Sequence, residues 1–181
     1  MIYVFLANGF EETEAIAPID ILRRSELKVV TVGIGEDIVV SSHGIAVVPD
    51  ITEVDFVPSD DIDMIVLPGG MPGTLNLEKS RTVQDAIGFC IENDKYIAAI
   101  CAAPSILGRK GLFNGRKPPA SPALNSSSQV QNTHPKALCR TERLLPQRAQ
   151  ALQLISVLSF PKFLQAKRTQ RKSELPYSAD E

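Results

Sequence analysis

The sequence predicts an α/β fold built on a parallel β-sheet, and three observations predict it. Short apolar runs at Ile2-Tyr3-Val4-Phe5-Leu6, at 29–33, at Met64-Ile65-Val66-Leu67 and at 96–100 have the character of strands buried on both faces. A helical pattern separates the first two runs, making a βαβ unit with a right-handed crossover and a parallel strand pair. Turns rich in glycine or small residues follow the first, third and fourth runs, at the carboxyl edge where open α/β sheets carry their sites. A chain of 181 residues fits one domain with a sizeable core.

The first strand runs from Ile2 to Ala7, and Asn8-Gly9-Phe10 is its turn. Glu11-Glu12-Thr13-Glu14 opens a helix with acids where the dipole favours them, and Arg23-Arg24 closes it. Ile16, Ile19 and Leu22 are expected on its buried face. Val29 to Gly33 is the second strand. Ile38-Val39-Val40 and Ile45-Ala46-Val47-Val48 flank Ser41-Ser42-His43-Gly44 as a hairpin with Gly44 in the turn. His43 reads as a loop histidine with no neighbour in sequence to make it a ligand or a base.

Met64 to Leu67 ends in Pro68-Gly69-Gly70-Met71-Pro72-Gly73, where paired glycines let backbone N–H groups approach a substrate. Spacing excludes a phosphate loop. Val83, Ala86, Ile87, Cys90 and Ile91 form a helical stripe, which makes Cys90 a core residue. Tyr96-Ile97-Ala98-Ala99-Ile100 then leads into Cys101-Ala102-Ala103-Pro104, with Pro104 suited to the first turn of a helix reaching about Arg109. A cysteine between small residues at a strand-to-helix turn has the form of a nucleophile elbow. A helix N-terminus nearby would lower its thiol pKa. Its alternative reading is a small buried hydrophobe.

Three loops therefore converge, bringing a thiol, a carboxyl and N–H donors of the oxyanion type. A carboxyl beside a thiolate has its own pKa pushed up, because two anions repel. Glu14 would then either donate a hydrogen bond to the thiolate or relay protons. Glu11 and Glu12 read as solvated first-turn charges.

Composition narrows the function classes. No apolar run reaches membrane-span length, and no basic leader precedes Ile2, so a cytoplasmic protein without membrane association is expected. Three cysteines at unrelated spacings suggest neither a disulfide framework nor a zinc site. The net charge of −2 hides a split, with −8 over residues 1–116 and +6 over 117–181. All 11 glycines precede Lys117, and 7 of 13 prolines follow it. Lys167-Arg168 and Arg171-Lys172 lack the aromatic interleaving of a nucleic-acid site, so nucleic acid is not an expected partner.

The motifs Gly9-Phe10-Glu11-Glu12-Thr13-Glu14, Leu67-Pro68-Gly69-Gly70 and Ala98-Ala99-Ile100-Cys101-Ala102-Ala103-Pro104 resemble those of the DJ-1/ThiJ/PfpI superfamily. Ala17-Pro18-Ile19-Asp20-Ile21-Leu22-Arg23-Arg24 and Ser41-Ser42-His43-Gly44-Ile45 are similar to its ThiJ/DJ-1 branch. The resemblance covers about Ile2 to Lys117. It implies a flavodoxin-like parallel-sheet sandwich, a homodimer, and no metal or organic cofactor. It implies Cys101 as nucleophile and oxidation-sensitive thiol, Glu14 as its acid partner, oxyanion donors at Gly70 and Ala102, and Gly69 shaping the loop. The implied chemistry is of the deglycase or glyoxalase type, on small carbonyl compounds or modified protein side chains. Redox-regulated chaperoning is the alternative. Many members carry a downstream histidine as general base. The histidine in that part of this chain is His134, in a segment unlike the family, and it is not assigned that role.

Residues 118–181 depart from the resemblance and are expected to form an atypical, poorly ordered basic tail after an incomplete 1–117 domain. A one-base frameshift explains the departure. Shifting the frame back by one base, Pro119-Ala120-Ser121-Pro122-Ala123-Leu124-Asn125 can derive from Thr-Cys-Phe-Pro-Gly-Phe-Glu. Cys139-Arg140-Thr141-Glu142-Arg143 can derive from Val-Gln-Asp-Gly-Thr, and Ala149 to Ser156 from Gly-Pro-Gly-Thr-Ala-Ile-Asp-Phe. These are the missing family segments, in order and in one frame. An inactive truncated relative is the further alternative that such a tail leaves open.

Overall fold

A computed structural model describes residues 1–112 and the strand Ala137–Arg140. The chain runs β1 (Ile2–Ala7), α1 (Glu12–Arg24), β2 (Val29–Ile34), β3 (Val39–Val40), β4 (Ala46–Val47), β5 (Ile51–Thr52) and β6 (Met64–Leu67). It continues through α2 (Gly73–Lys79), α3 (Arg81–Glu92), β7 (Tyr96–Ile100), α4 (Pro104–Arg109) and β8 (Ala137–Arg140). Six strands form a parallel sheet in the order β5-β2-β1-β6-β7-β8. The chain leaves β1 toward β2 and β5, then returns to the other side of β1 at β6. That reversal opens a crevice beyond the carboxyl ends of β1 and β6, the position at which doubly wound sheets bind ligands.

The strict alternation of β1 divides the core. Tyr3, Phe5 and Ala7 face a cluster closed by Leu77 of α2, Val83, Ala86, Ile87 and Cys90 of α3, and Ile106 and Leu107 of α4. Ile2, Val4 and Leu6 face the other side, closed by Ala15, Ile19 and Leu22 of α1. Both faces of β1 are covered, which explains why its sequence is apolar throughout. Phe56 adds edge-on ring contacts to Tyr3 and Phe5, with centroids 5.1 and 5.0 Å away.

One expectation for α1 needs correction. Ile16 is 40% exposed, and the buried stripe is Ala15, Ile19 and Leu22 at i, i+4 and i+7. Ile16 lies one residue, about 100°, round the helix from Ala15. The hairpin is present as the antiparallel β3–β4 pair, with Gly44 at φ +83°. Helix α2 and the two-residue strand β5 carry no periodic pattern long enough to announce them. The expected tail, apart from Ala137–Arg140, lies outside the described residues.

At the outer side of β2, just before its pairing with β5 begins, Asp50 bonds the strand where a neighbouring strand would. Its Oδ2 accepts from the Thr31 N–H and the Thr31 hydroxyl, both at 2.8 Å, and from Arg23 at 2.5 Å. Partial burial raises the Asp50 pKa, but these partners outweigh it and hold the carboxyl below its ordinary value. Among the described residues, no helix is long and apolar enough to cross a membrane.

Candidate active site at the Cys101 elbow

The three loops expected to converge do so at the crevice beyond β1 and β6. Cys101 directly follows β7 with φ +57°, in the left-handed region that costs a non-glycine residue energy. Ala103 N–H closes the turn on the Ile100 carbonyl at 3.0 Å, and Pro104 begins α4. The strained turn aims the thiol away from the strand, as the small neighbours predict.

Glu14 approaches from the first turn of α1. It is 3% exposed, and its Oε2 accepts from the Gly69 N–H at 2.9 Å. The β1–α1 and β6–α2 loops are tied together again where Glu11 N–H donates to the Gly69 carbonyl at 3.0 Å. Gly73 N–H likewise donates to Gly9 at 3.1 Å. The glycines are a matter of space. A Cβ on Gly69 would press on Glu14 Oε2 and lie 2.7 Å from Cys101 Cβ. Gly70 sits at φ +92° with Glu11, Gly9 and Phe10 packed where a side chain would go.

The chemistry of the sulfur follows from these neighbours. Burial raises the Cys101 thiol to about 11. The Glu14 carboxylate adds to the rise, through its charge and a hydrogen bond, while backbone hydrogen bonds from Ala102 and Gly70 act in the other direction. The expected lowering by a helix N-terminus is therefore overturned. Helix α4 is six residues long and begins three positions beyond the sulfur, and two N–H groups do not offset burial beside a carboxylate. Cys90 is fully buried, and burial takes its thiol to about 12, consistent with a core role.

Gly69→Ala should show how tight the site is. The new methyl must displace Glu14 or Cys101, so thermal unfolding should reveal a loss of about 1–3 kcal/mol. Thiol alkylation should change at the same time. A variant with unchanged stability and reactivity would mean that the loops are looser than this packing.

Glu11, Glu12 and His43 are not the independent solvated groups that their local sequence suggests. The β3–β4 hairpin folds onto the β1–α1 turn through a parallel bridge between Phe10 and Ser41. His43 Nδ1 then lies 2.7 Å from Glu12 Oε1 and 4.0 Å from Glu11 Oε2. The contact joins segments about thirty residues apart, and no local pattern signals it. His134 lies outside the described residues.

The DJ-1/PfpI family model matches residues 1–141, beyond the Lys117 limit of the motif resemblance. Protein dj-1beta of Drosophila melanogaster is 38% identical over 122 residues, covering 67% of this chain and 65% of that protein. Deglycase PfpI of Pyrococcus furiosus is 35% identical over 112 residues, covering 61% of this chain and 66% of that protein. A crystal structure of a cysteine-to-alanine mutant of a Salmonella typhimurium DJ-1 superfamily protein superposes with a TM-score of 0.58 at 38% identity. It covers 63% of this chain and 62% of the other. Oxidized DJ-1 of Toxoplasma gondii superposes with a TM-score of 0.66 at 30% identity, covering 93% and 96%. The chain spans less than two-thirds of the length of dj-1beta.

Proposed function

Starting from the fact that this chain belongs to the DJ-1/PfpI family, we propose that it is a cysteine-dependent enzyme acting on small dicarbonyl compounds or their adducts with protein side chains. The observation that carries the proposal is the set of groups around one sulfur. Cys101 meets a buried carboxyl, Glu14, and two N–H donors, from Gly70 and Ala102. Sulfur attacks the aldehyde carbon, a C–S bond forms, and the carbonyl π pair moves onto oxygen. The N–H groups of Gly70 and Ala102 stabilise that oxyanion. The thiol proton passes to Glu14 during attack and returns to the oxyanion, giving a neutral hemithioacetal.

With its thiol raised by burial and by the Glu14 carboxylate, Cys101 is mostly protonated at neutral pH. Attack therefore depends on proton transfer to Glu14 rather than on a standing thiolate. The deciding experiment is methylglyoxal consumption by the wild type beside Cys101→Ala. Equal turnover would sink the proposal. A cytoplasmic location remains part of this reading, with no cofactor in the chemistry; the family-type homodimer is the assembly expected of a chain that carries the family's C-terminal region.

The second reading is a redox sensor or chaperone in which Cys101 is oxidised to a sulfinate held by the same N–H groups and Glu14. It draws support from the Toxoplasma gondii relative, whose structure is that of an oxidized form. Mild peroxide should then add two oxygens to Cys101 and leave buried Cys90 unmodified, as read by peptide mass spectrometry. Oxidation spread equally over both thiols would count against a dedicated sensor.

A further inference from the structure

We propose that Glu11, Glu12 and His43 form a binding site for one divalent transition-metal cation of the zinc class. The Cys101 reading uses none of these side chains, and the proposal does not depend on it. One ligand atom from each of the three lies within 4.8 Å of the others. Bonds of about 2.0–2.1 Å in a tetrahedral site require donors about 3.3 Å apart, so small side-chain rotations close the set. One imidazole nitrogen with carboxylate oxygens suits zinc, cobalt or nickel. Magnesium and calcium prefer oxygen alone and more ligands.

The donors come from two segments that the backbone fixes against each other. Glu11 is anchored by its N–H on Gly69, and Glu12 is the first residue of α1. Ser42 N–H donates to the Phe10 carbonyl at 2.8 Å, and Ser41 N–H to the Ile45 carbonyl at 2.9 Å. These bonds hold the hairpin tip over the helix start. Ser42 Oγ lies 3.2 Å from Glu11 Oε2, 3.2 Å from Glu12 Oε2 and 3.1 Å from His43 Nδ1. His43 Nδ1 is also 2.7 Å from Glu12 Oε1, and a cation would replace these hydrogen-bond contacts with bonds to one atom from each of the three ligands. The two carboxylates match a charge of +2. Their side chains are 22% and 15% exposed, and that of His43 is 63% exposed, which leaves an entry path and a fourth position for water.

The test is calorimetric titration of the full chain with zinc chloride alone, repeated with cobalt chloride and followed by visible absorption. One equivalent should bind, with no thiolate-to-cobalt charge-transfer band. His43→Ala and Glu12→Gln should each weaken binding by at least about tenfold. Cys101→Ser and His134→Ala should bind as the wild type does. Circular dichroism of each variant confirms that a loss reflects missing ligands rather than unfolding. Absence of binding to folded wild type would overturn the site. So would undiminished binding in both His43→Ala and Glu12→Gln, or a loss confined to Cys101→Ser, which would move the metal to the thiol.

Discussion

Cys101→Ala should lower methylglyoxal consumption by at least about 10³-fold, because removing a nucleophile leaves only binding and the oxyanion donors. The fold should survive, since alanine lacks only the sulfur. Glu14→Gln separates the nucleophile from its proton carrier. Glutamine keeps a polar group of the same size near Gly69 and removes the negative charge. That charge is one cause of the raised thiol, so the Cys101 pKa should fall below about 11 in the variant. Iodoacetamide should then alkylate Cys101 faster at pH 8, while turnover falls because the proton has no carrier. Slower alkylation in Glu14→Gln would mean that Glu14 holds the thiolate rather than opposing it. The same thiol has a stability consequence. A thiol raised in the folded state stabilises fully below the unfolded pKa near 9, and that contribution is lost as pH climbs toward about 11.

Restoring the reading frame upstream of Pro119 should have the second large effect. We propose that residues 118–181 are the shifted product of a family C-terminal region. The restored chain should be a soluble homodimer. The chain as written should be monomeric or insoluble. A gain of at least about 3 kcal/mol, on the order of 10 °C in Tm, is expected from the recovered helix and strands. Sedimentation and thermal melts of the two versions side by side measure it. Equal Tm and a dimer from both would sink the idea. Sequencing the gene across the codons for Gly115 to Pro119 tests it from the other side.

The central strands and the Cys101 turn were legible because they are written in local pattern. Strands β1, β6 and β7 are continuous apolar runs, and Pro104 marks the first residue of α4. The convergence of Glu14, Gly69 and Cys101 could be inferred because all three follow parallel strands at one edge. On α1, Ile19 and Leu22 are buried as their spacing predicts, but Ile16 is not, because alanine at position 15 is a weak hydrophobic signal beside isoleucine at position 16. The His43 cluster was illegible because it depends on where a hairpin lands. The thiol's shift was misjudged in sign because burial and a buried carboxylate, both tertiary properties, outweigh the helix end. Strand β8 falls in a stretch whose side-chain pattern gives no strand signal.

The Asp50 carboxylate that occupies the flank of β2 has a further consequence. An unpaired strand flank is a template onto which another chain can add its backbone, extending one sheet through many molecules. Here the Thr31 N–H that would receive such a guest is already bonded to Asp50, and Arg23 sets a charged side chain across the approach. β5 is two residues long and offers a visiting strand little to pair with. The part of the β2 flank that β5 leaves uncovered is thus blocked to intermolecular β-sheet growth by a single acid and its partners.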